Sequence, residues 1–310
     1  PHEKKRNAMK TMQFDQYGPP EVLQPAEAPE VHPGPGQVRV RVRAAGINPV
    51  DWKIRSGVSR RAIPVALPHV PGMEAAGVVD ELGPDVTGVD LGDEVFGATT
   101  TGGATEHAVL SDWAGKPAEM SWAVAGGLAM AVETAARGLD VLGELQGKTL
   151  LVSGAAGGVG TAAVQLAKDR GAWVIGTASE DNLDYLTSLG AEPCVYGPGL
   201  VDRVRALAPH GVDLALDVAG HGVLPDLLTL TGSPDRVVTL IDPDAARFGM
   251  VFTTGSEGRA YYALAEAAEL FRQGSFVMPV AGTYPLVELA EAHRVSETGH
   301  VRGKLVLELD

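Results

Sequence analysis

The chain has 310 residues, 39 of them acidic against 25 basic, a formal net charge of −14 and a single cysteine, Cys194. That length can bury a large core and leads to an expectation of two domains. The acidic balance disfavours nucleic acid and anionic membrane as partners, and one cysteine excludes intrachain disulfides and any cysteine-rich zinc site.

Residues 1–8, ahead of Met9, read as an expression remnant, and no apolar run approaches a membrane span, so a cytoplasmic protein is expected. Strands and turns follow. Met12-Gln13-Phe14 opens, a proline-rich connection runs through Pro25, Pro29, Pro33 and Pro35, and Gln37 to Ala44 alternates polar and apolar residues. Period two predicts a half-buried strand, whose Arg39, Arg41 and Arg43 form either a solvated sheet face or an anion track. The run Asn48-Pro49-Val50-Asp51-Trp52-Lys53 comes next; Asp51 reads as ordering this loop, and Asn48 before Pro49 is a turn former or a functional amide. Further strands, with glycine corners at Gly72, Gly92 and Gly97, complete a twisted, partly closed β domain.

From Trp122 to about Leu139 the composition turns to alanine-rich helix, and then a βαβ series begins. Leu150-Leu151-Val152 reads as a buried parallel strand, breaks into Ser153-Gly154-Ala155-Ala156-Gly157-Gly158-Val159-Gly160, and resumes at helical spacing. Against a dinucleotide template of Gly at the first, third and sixth positions, the chain supplies Ala155, Gly157 and Gly160. This is either a merely tight strand-to-helix turn or a pyrophosphate cradle at a helix N-terminus, formed by Gly157, Gly158 and Val159. After the next strand, Trp173 to Gly176, the place of an NAD-type carboxylate holds Thr177. Thr177, Ala178 and Ser179 leave room and a hydroxyl donor for a 2′-phosphate, which favours NADP; Glu180, Asp181 and Asn182 bring no positive charge. Thr177 and Ser179 also fit as ordinary strand-end and cap residues. Later strands are expected at Val212–Val218, Arg236–Ile241, near Val277 and over Lys304–Leu309, with a helix from about Gly258 to Arg272.

The β domain, the turn Ala155-Ala156-Gly157-Gly158-Val159-Gly160 and the ending Gly299-His300-Val301-Arg302-Gly303-Lys304-Leu305-Val306-Leu307 together resemble the zinc-independent quinone oxidoreductase (zeta-crystallin-like) family of the medium-chain dehydrogenase/reductase superfamily. The resemblance implies an α/β protein: a GroES-like partly closed β-barrel domain, residues 9–121 plus 254–310, and a Rossmann doubly wound parallel sheet domain, residues 122–253. It implies an active site in the cleft between them and a homodimer. Zinc-dependent members place a cysteine where Asn48 stands and a histidine where Met73 stands; neither residue here suits catalytic zinc, and Glu74 beside it reads as structural. Without zinc, hydride to a simple ketone leaves a localised alkoxide, whereas a quinone or an α,β-unsaturated carbonyl spreads the charge. NADPH is the implied cofactor and a small-molecule quinone or enone the implied partner.

By the same resemblance Asn48 and Thr134 orient the nicotinamide, and Lys53 contacts its ribose or the substrate oxygen, unless it is a solvated surface lysine. Ser179 and Tyr196 lie near the 2′-phosphate, Ile241 and Asp242 at the nicotinamide end, and Lys304 near the cleft. Asp235 and Asn182 depart from the family's glycine and lysine. His107 and His293 read as structural or surface residues. The competing readings are an NADP(H)-binding non-catalytic regulatory or scaffolding protein and a zinc alcohol dehydrogenase.

Overall fold

The computed structural model describes residues 8–310; of the eight residues read as a remnant, 1–7 lie outside the described residues and Ala8 opens the first strand. The chain runs β1 (Ala8–Gln13), β2 (Gln24–Pro29), β3 (Val38–Ile47), α1 (Pro49–Ser56), β4 (Glu74–Leu82), β5 (Glu94–Thr99), β6 (His107–Gly115) and α2 (Trp122–Gly126). Then come α3 (Ala129–Leu142), β7 (Thr149–Ser153), α4 (Gly158–Asp169), β8 (Trp173–Ala178), α5 (Leu183–Ser188), β9 (Glu192–Val195) and α6 (Leu200–Leu207). They are followed by β10 (Leu214–Asp217), α7 (Leu224–Thr231), β11 (Val237–Thr239), β12 (Val251–Phe252), α8 (Ala263–Arg272), β13 (Val280–Pro285), α9 (Leu289–Glu297) and β14 (Lys304–Glu308). These elements fall into two units. One takes the described residues up to Met130 with Leu264–Gly274 and Met278–Asp310; the other takes Ala131–Ala263 with Ser275–Val277.

The first unit is built on a six-stranded sheet in the order β13-β14-β3-β4-β5-β6, closed by a further β3–β6 pairing. Strand β3 makes this possible by its length. One edge pairs with β4, while the other is shared, its first half with β6 (Val38↔Leu110 to Arg41↔His107) and its second with β14 (Ala44↔Glu308 to Ile47↔Leu305). The result is the GroES-like, partly closed barrel, filled by Val38, Val40, Val42, Leu110 and Leu305 with Met12 and Phe14.

The second unit is a six-stranded, all-parallel sheet in the order β12-β11-β10-β7-β8-β9. Counted along the chain this is strand order 3-2-1-4-5-6, the Rossmann doubly wound arrangement, with its reversal between β7 and β10. Its strands are buried on both faces, as Leu151, Ile175 and Ala215 show at 0 % exposure, which is why they read as continuous apolar runs.

Several expectations need correction. The proline-rich connection contains strand β2, paired antiparallel with β1 from Ala8↔Pro29 to Gln13↔Gln24; in a two-stranded sheet its outer edge needs no N–H, so prolines fit. The arginine stripe is not a solvated face throughout: Arg39 is 9 % exposed and ion-paired with Glu30, Asp80 and Glu81. The single helix expected from Trp122 is two, parted at Gly127-Leu128. The helix expected from Gly258 begins at Ala263, because the buried Glu133 carboxylate draws in the Arg259 guanidinium and the Ala260 amide. The strand expected near Val277 is β13, which starts at Val280.

Candidate active site: a buried charge cluster and a glycine turn

In the first unit the register of β14 on β3 brings Lys304 alongside Asn48, one residue past the Ile47↔Leu305 pair. Both ends meet the start of β4. Lys304 Nζ donates to Glu74 Oε1 at 2.8 Å and to Asn48 Oδ1, while Asn48 Nδ2 donates to the same Glu74 oxygen at 2.8 Å. The other Glu74 oxygen accepts from the Met130 amide at 2.7 Å. Glu74 is 0 % and Lys304 4 % exposed, so a charge pair stands in the protein interior with every polar atom of the carboxylate partnered. The side chain of Glu74 lies across β3 at Gly46, where an added Cβ would stand 2.1 Å from Glu74 Oε1. Only glycine leaves that passage.

Asn48 caps α1, Pro49 takes its first position, and Asp51 Oδ2 accepts from the Asn48 backbone amide at 2.8 Å. Asp51 is 3 % exposed. Burial pushes its carboxyl up to about 7, against the pull of the Asn48 amide and Lys304. A carboxyl that changes charge near neutrality thus sits beside the Lys304–Glu74 pair. On the same helix Lys53 is half-buried with its ammonium 5.7 Å from the Trp52 ring centroid, and among the described residues no hydrogen bond ties it to the cluster.

In the second unit β7 runs into a turn that the sequence shapes tightly. Gly154 has φ +83°, and an added Cβ would meet the Ala219 Cβ at 2.7 Å; at Gly160 it would stand 2.2 Å from the Gly154 carbonyl oxygen. Gly157, the N-cap of α4, differs. Its nearest neighbour to an added Cβ is the Gly154 oxygen at 3.8 Å, so nothing among the described residues demands glycine there. Gly158 and Val159 follow as the first turn of a 12-residue helix, half-buried, with the helix N-terminus presenting free amides.

Thr177 is 1 % exposed, and its Oγ1 accepts from the Gly154 amide at 3.1 Å. It is a strut of the turn. Ser179, at the end of β8, accepts from Asn182 Nδ2 at 3.0 Å, and Tyr196 is 55 % exposed just past β9, its amide bonded to Ala178 at 3.2 Å. These two therefore lie side by side at the carboxyl edge of the sheet. Ile241 is half-buried beyond β11, held by Thr239 Oγ1 at 3.2 Å. Thr134, on α3, donates to Glu133 Oε2 at 3.2 Å, and Glu133 in turn pairs with Arg137 at 2.9 Å.

Sequence reasoning missed three groups. Arg203 on α6 folds its guanidinium under the 195–198 loop, bonding the carbonyls of Val195, Tyr196, Gly197 and Pro198 at 2.8–3.2 Å, beside Tyr196. No spacing marks it, because its partners are backbone carbonyls, which every residue carries. Asp217, 0 % exposed at the end of β10, collects the Ala219 and Gly220 amides and Thr239 Oγ1 at 2.8–3.1 Å, fixing the turn that packs on Gly154. Glu74 is the hub of the first unit rather than a bystander.

Two family models match the chain: an alcohol dehydrogenase GroES-like domain over residues 34–141 and a zinc-binding dehydrogenase over residues 189–307. A quinone oxidoreductase of Rattus norvegicus is 31% identical over 96% of this chain and 97% of its own. A chloroplastic NADPH-dependent alkenal/one oxidoreductase of Arabidopsis thaliana is 31% identical over 96% of this chain and 79% of its own. The solved quinone oxidoreductase of Coxiella burnetii superposes with a TM-score of 0.82 at 30% identity, covering 98% of this chain and 100% of that one.

Proposed function

The chain belongs to the quinone oxidoreductase family of the medium-chain dehydrogenase/reductase superfamily, and from that premise we propose that it is a zinc-independent, NADPH-dependent reductase of quinones or α,β-unsaturated carbonyls. The observation that carries the reading is the ammonium of Lys304, buried between Asn48 and Glu74. Where metal-using relatives keep a cysteine, the amide oxygen of Asn48 already accepts from a protein cation. A zinc ion would face that charge with an amide and the Met73 thioether for company, a donor set that does not fit it. The chemistry left is the reduction of acceptors that delocalise the incoming charge.

The cofactor fits the second unit. The space beside Gly157 that a Cβ would fill is the approach a pyrophosphate needs, and the amides opening α4 would receive it. Bound NADPH supplies the hydride. Ser179 and Tyr196 would flank the 2′-phosphate, with Arg203 adding positive charge under their loop. Within the second unit Thr134 and Ile241 would border the nicotinamide, and within the first Lys53 would meet the acceptor oxygen and hold a proton toward it. The outer edge of β12, unpaired among the described residues, suits a homodimer.

The test is oxidation of NADPH and NADH by the purified protein with a 1,4-quinone, an alkenal and a simple aldehyde, alongside Lys53→Ala. Turnover with NADPH on the first two, lost in the variant and insensitive to chelators, is expected. Firm NADPH binding without turnover on any acceptor would return the non-catalytic reading.

A further inference from the structure

Behind the charge cluster, on the side of α1 facing α9, lies a cavity of about 10 Å³, measured as the space open to the centre of a water molecule. Asp51 and His293 both line it; Gly46, Gly72, Leu289 and Leu307 are among the rest of its wall. His293 is 1 % exposed, yet neither Nδ1 nor Nε2 has a hydrogen-bond partner among the described residues. A neutral imidazole owns one donor and one acceptor, and leaving either buried and unmet is unfavourable. Burial, with the Arg55 charge adding to it, pushes the imidazole down to about 3, so charging the ring is no escape. Most of the wall is apolar, but an unmet imidazole and a carboxyl both line a space of about one water, and together they offer the hydrogen-bond partners that a buried water needs.

We propose that this cavity is a one-water site joining His293 to Asp51, and that His293 is thereby a positioning residue for the Asp51–Asn48–Glu74–Lys304 cluster. The water accepts from or donates to the imidazole and donates to the Asp51 carboxylate. The charged groups facing the pair are Glu74 on β4, Lys304 on β14, Arg55 on α1 and Glu297 on α9, the last two ion-paired with each other. Reduction of the acceptor consumes one proton with each hydride. Asp51 is the carboxyl of the cluster that holds or gives up a proton near neutrality, and the water sets where it does so. This role rests on the reductase reading; the water site does not.

Two readouts keep them apart. The first needs no turnover: the infrared band of protonated carboxyl is followed from pH 5 to 9 in the full chain, with Asp51→Asn to assign it. Wild type should titrate near 7, His293→Leu should move the midpoint up by about half a unit because the carboxylate loses a donor, and His293→Gln should restore it. A high-resolution crystal structure should show the water in wild type and not in His293→Leu. An unmoved midpoint or a dry wild-type cavity overturns the site. The second readout is the pH profile of kcat/KM for NADPH-driven quinone reduction, whose inflection should follow the infrared midpoint across the same variants. If the band moves and the inflection does not, the positioning role is overturned and the water site stands. If no acceptor is turned over at all, the reductase reading fails, and with it the positioning role, while the infrared result still decides the site.

Discussion

Replacing Lys304 with methionine keeps most of the stem and removes the ammonium from between Glu74 and Asn48. The magnitude follows from the geometry. At 2.8 Å and an effective dielectric near 20, the attraction between Lys304 and Glu74 is roughly 6 kcal/mol, and much of it offsets the cost of taking both charges out of water. What the variant feels is the carboxylate left behind, a loss of about 3–5 kcal/mol for a buried pair. Glu74 keeps the Asn48 and Met130 donors at 2.8 and 2.7 Å, which places the expectation at the low end, about 3 kcal/mol. Lys304 also holds the Asp51 carboxyl down, so its loss raises that group further, and the deficit should shrink as pH falls from 8 towards 5 and Asp51 takes up its proton. The assay is urea unfolding of wild type, Lys304→Met, Glu74→Gln and the double variant at both pH values. The double variant should recover at least about 1 kcal/mol relative to additivity. A single-variant cost below about 1 kcal/mol, or strict additivity, would refute the account of Lys304 as the counter-charge of a buried carboxylate.

Gly157→Ala should leave the melting temperature nearly unchanged yet weaken NADPH binding tenfold or more, about 1.4 kcal/mol, whereas Gly160→Ala, whose Cβ would stand 2.2 Å from a carbonyl oxygen, should destabilise the fold itself by about 1–3 kcal/mol; equal melting losses would contradict this. Thr177→Val removes the acceptor of the Gly154 amide and should cost about 1–2 kcal/mol in denaturant unfolding, with NADPH affinity per folded molecule little altered. Asp51, at about 7 against an ordinary 3.8, contributes stability that is full below pH 4 and is lost as pH rises to 7, at most about 4 kcal/mol; Asp51→Asn should erase that part of the slope, and parallel curves would count against it. His293 has the opposite sense: its pKa falls from 6.5 to about 3, so its share of stability is present above pH 6.5 and lost as pH drops through 3, and His293→Gln should shift acid unfolding to lower pH.

The two halves and their order were legible because each carries a local period: alternation at Gln37–Ala44 for β3, and strand, small residues, helix for β7 and α4. The glycine turn was legible for the same reason, all its parts lying within a dozen residues. What the pattern hid is where partners sit far apart in sequence. Lys304 and Asn48 could be named separately, but their joint hold on Glu74 follows from the register of β14 on β3, which no short window contains. Thr177 could be counted to its position, yet its inward rotamer depends on the Gly154 amide. Pro25 and Pro29 argued for a loop because strand propensity disfavours them, and the two-stranded sheet overrides that preference at its open edge. His293 and Asp51 line one cavity because α9 packs against α1.

The pairing of Lys304 with Asn48 spans 256 residues, and the second unit's strands, β7 to β12, all lie inside that interval. Closing so long a loop carries an entropy cost of roughly 5 kcal/mol in the chain-closure estimate before any contact rewards it, less once the interval has itself become compact. Each parallel strand of the Rossmann sheet finds its neighbours over much shorter separations. The order of assembly follows: the glycine turn can form early, while β3 waits with half an edge unpaired and Asn48 and Glu74 without their cation until β14 docks. In a nascent chain the glycine turn is complete before the charge cluster is, and the exposed half-edge of β3 is the segment on which a mistaken strand pairing would most readily begin.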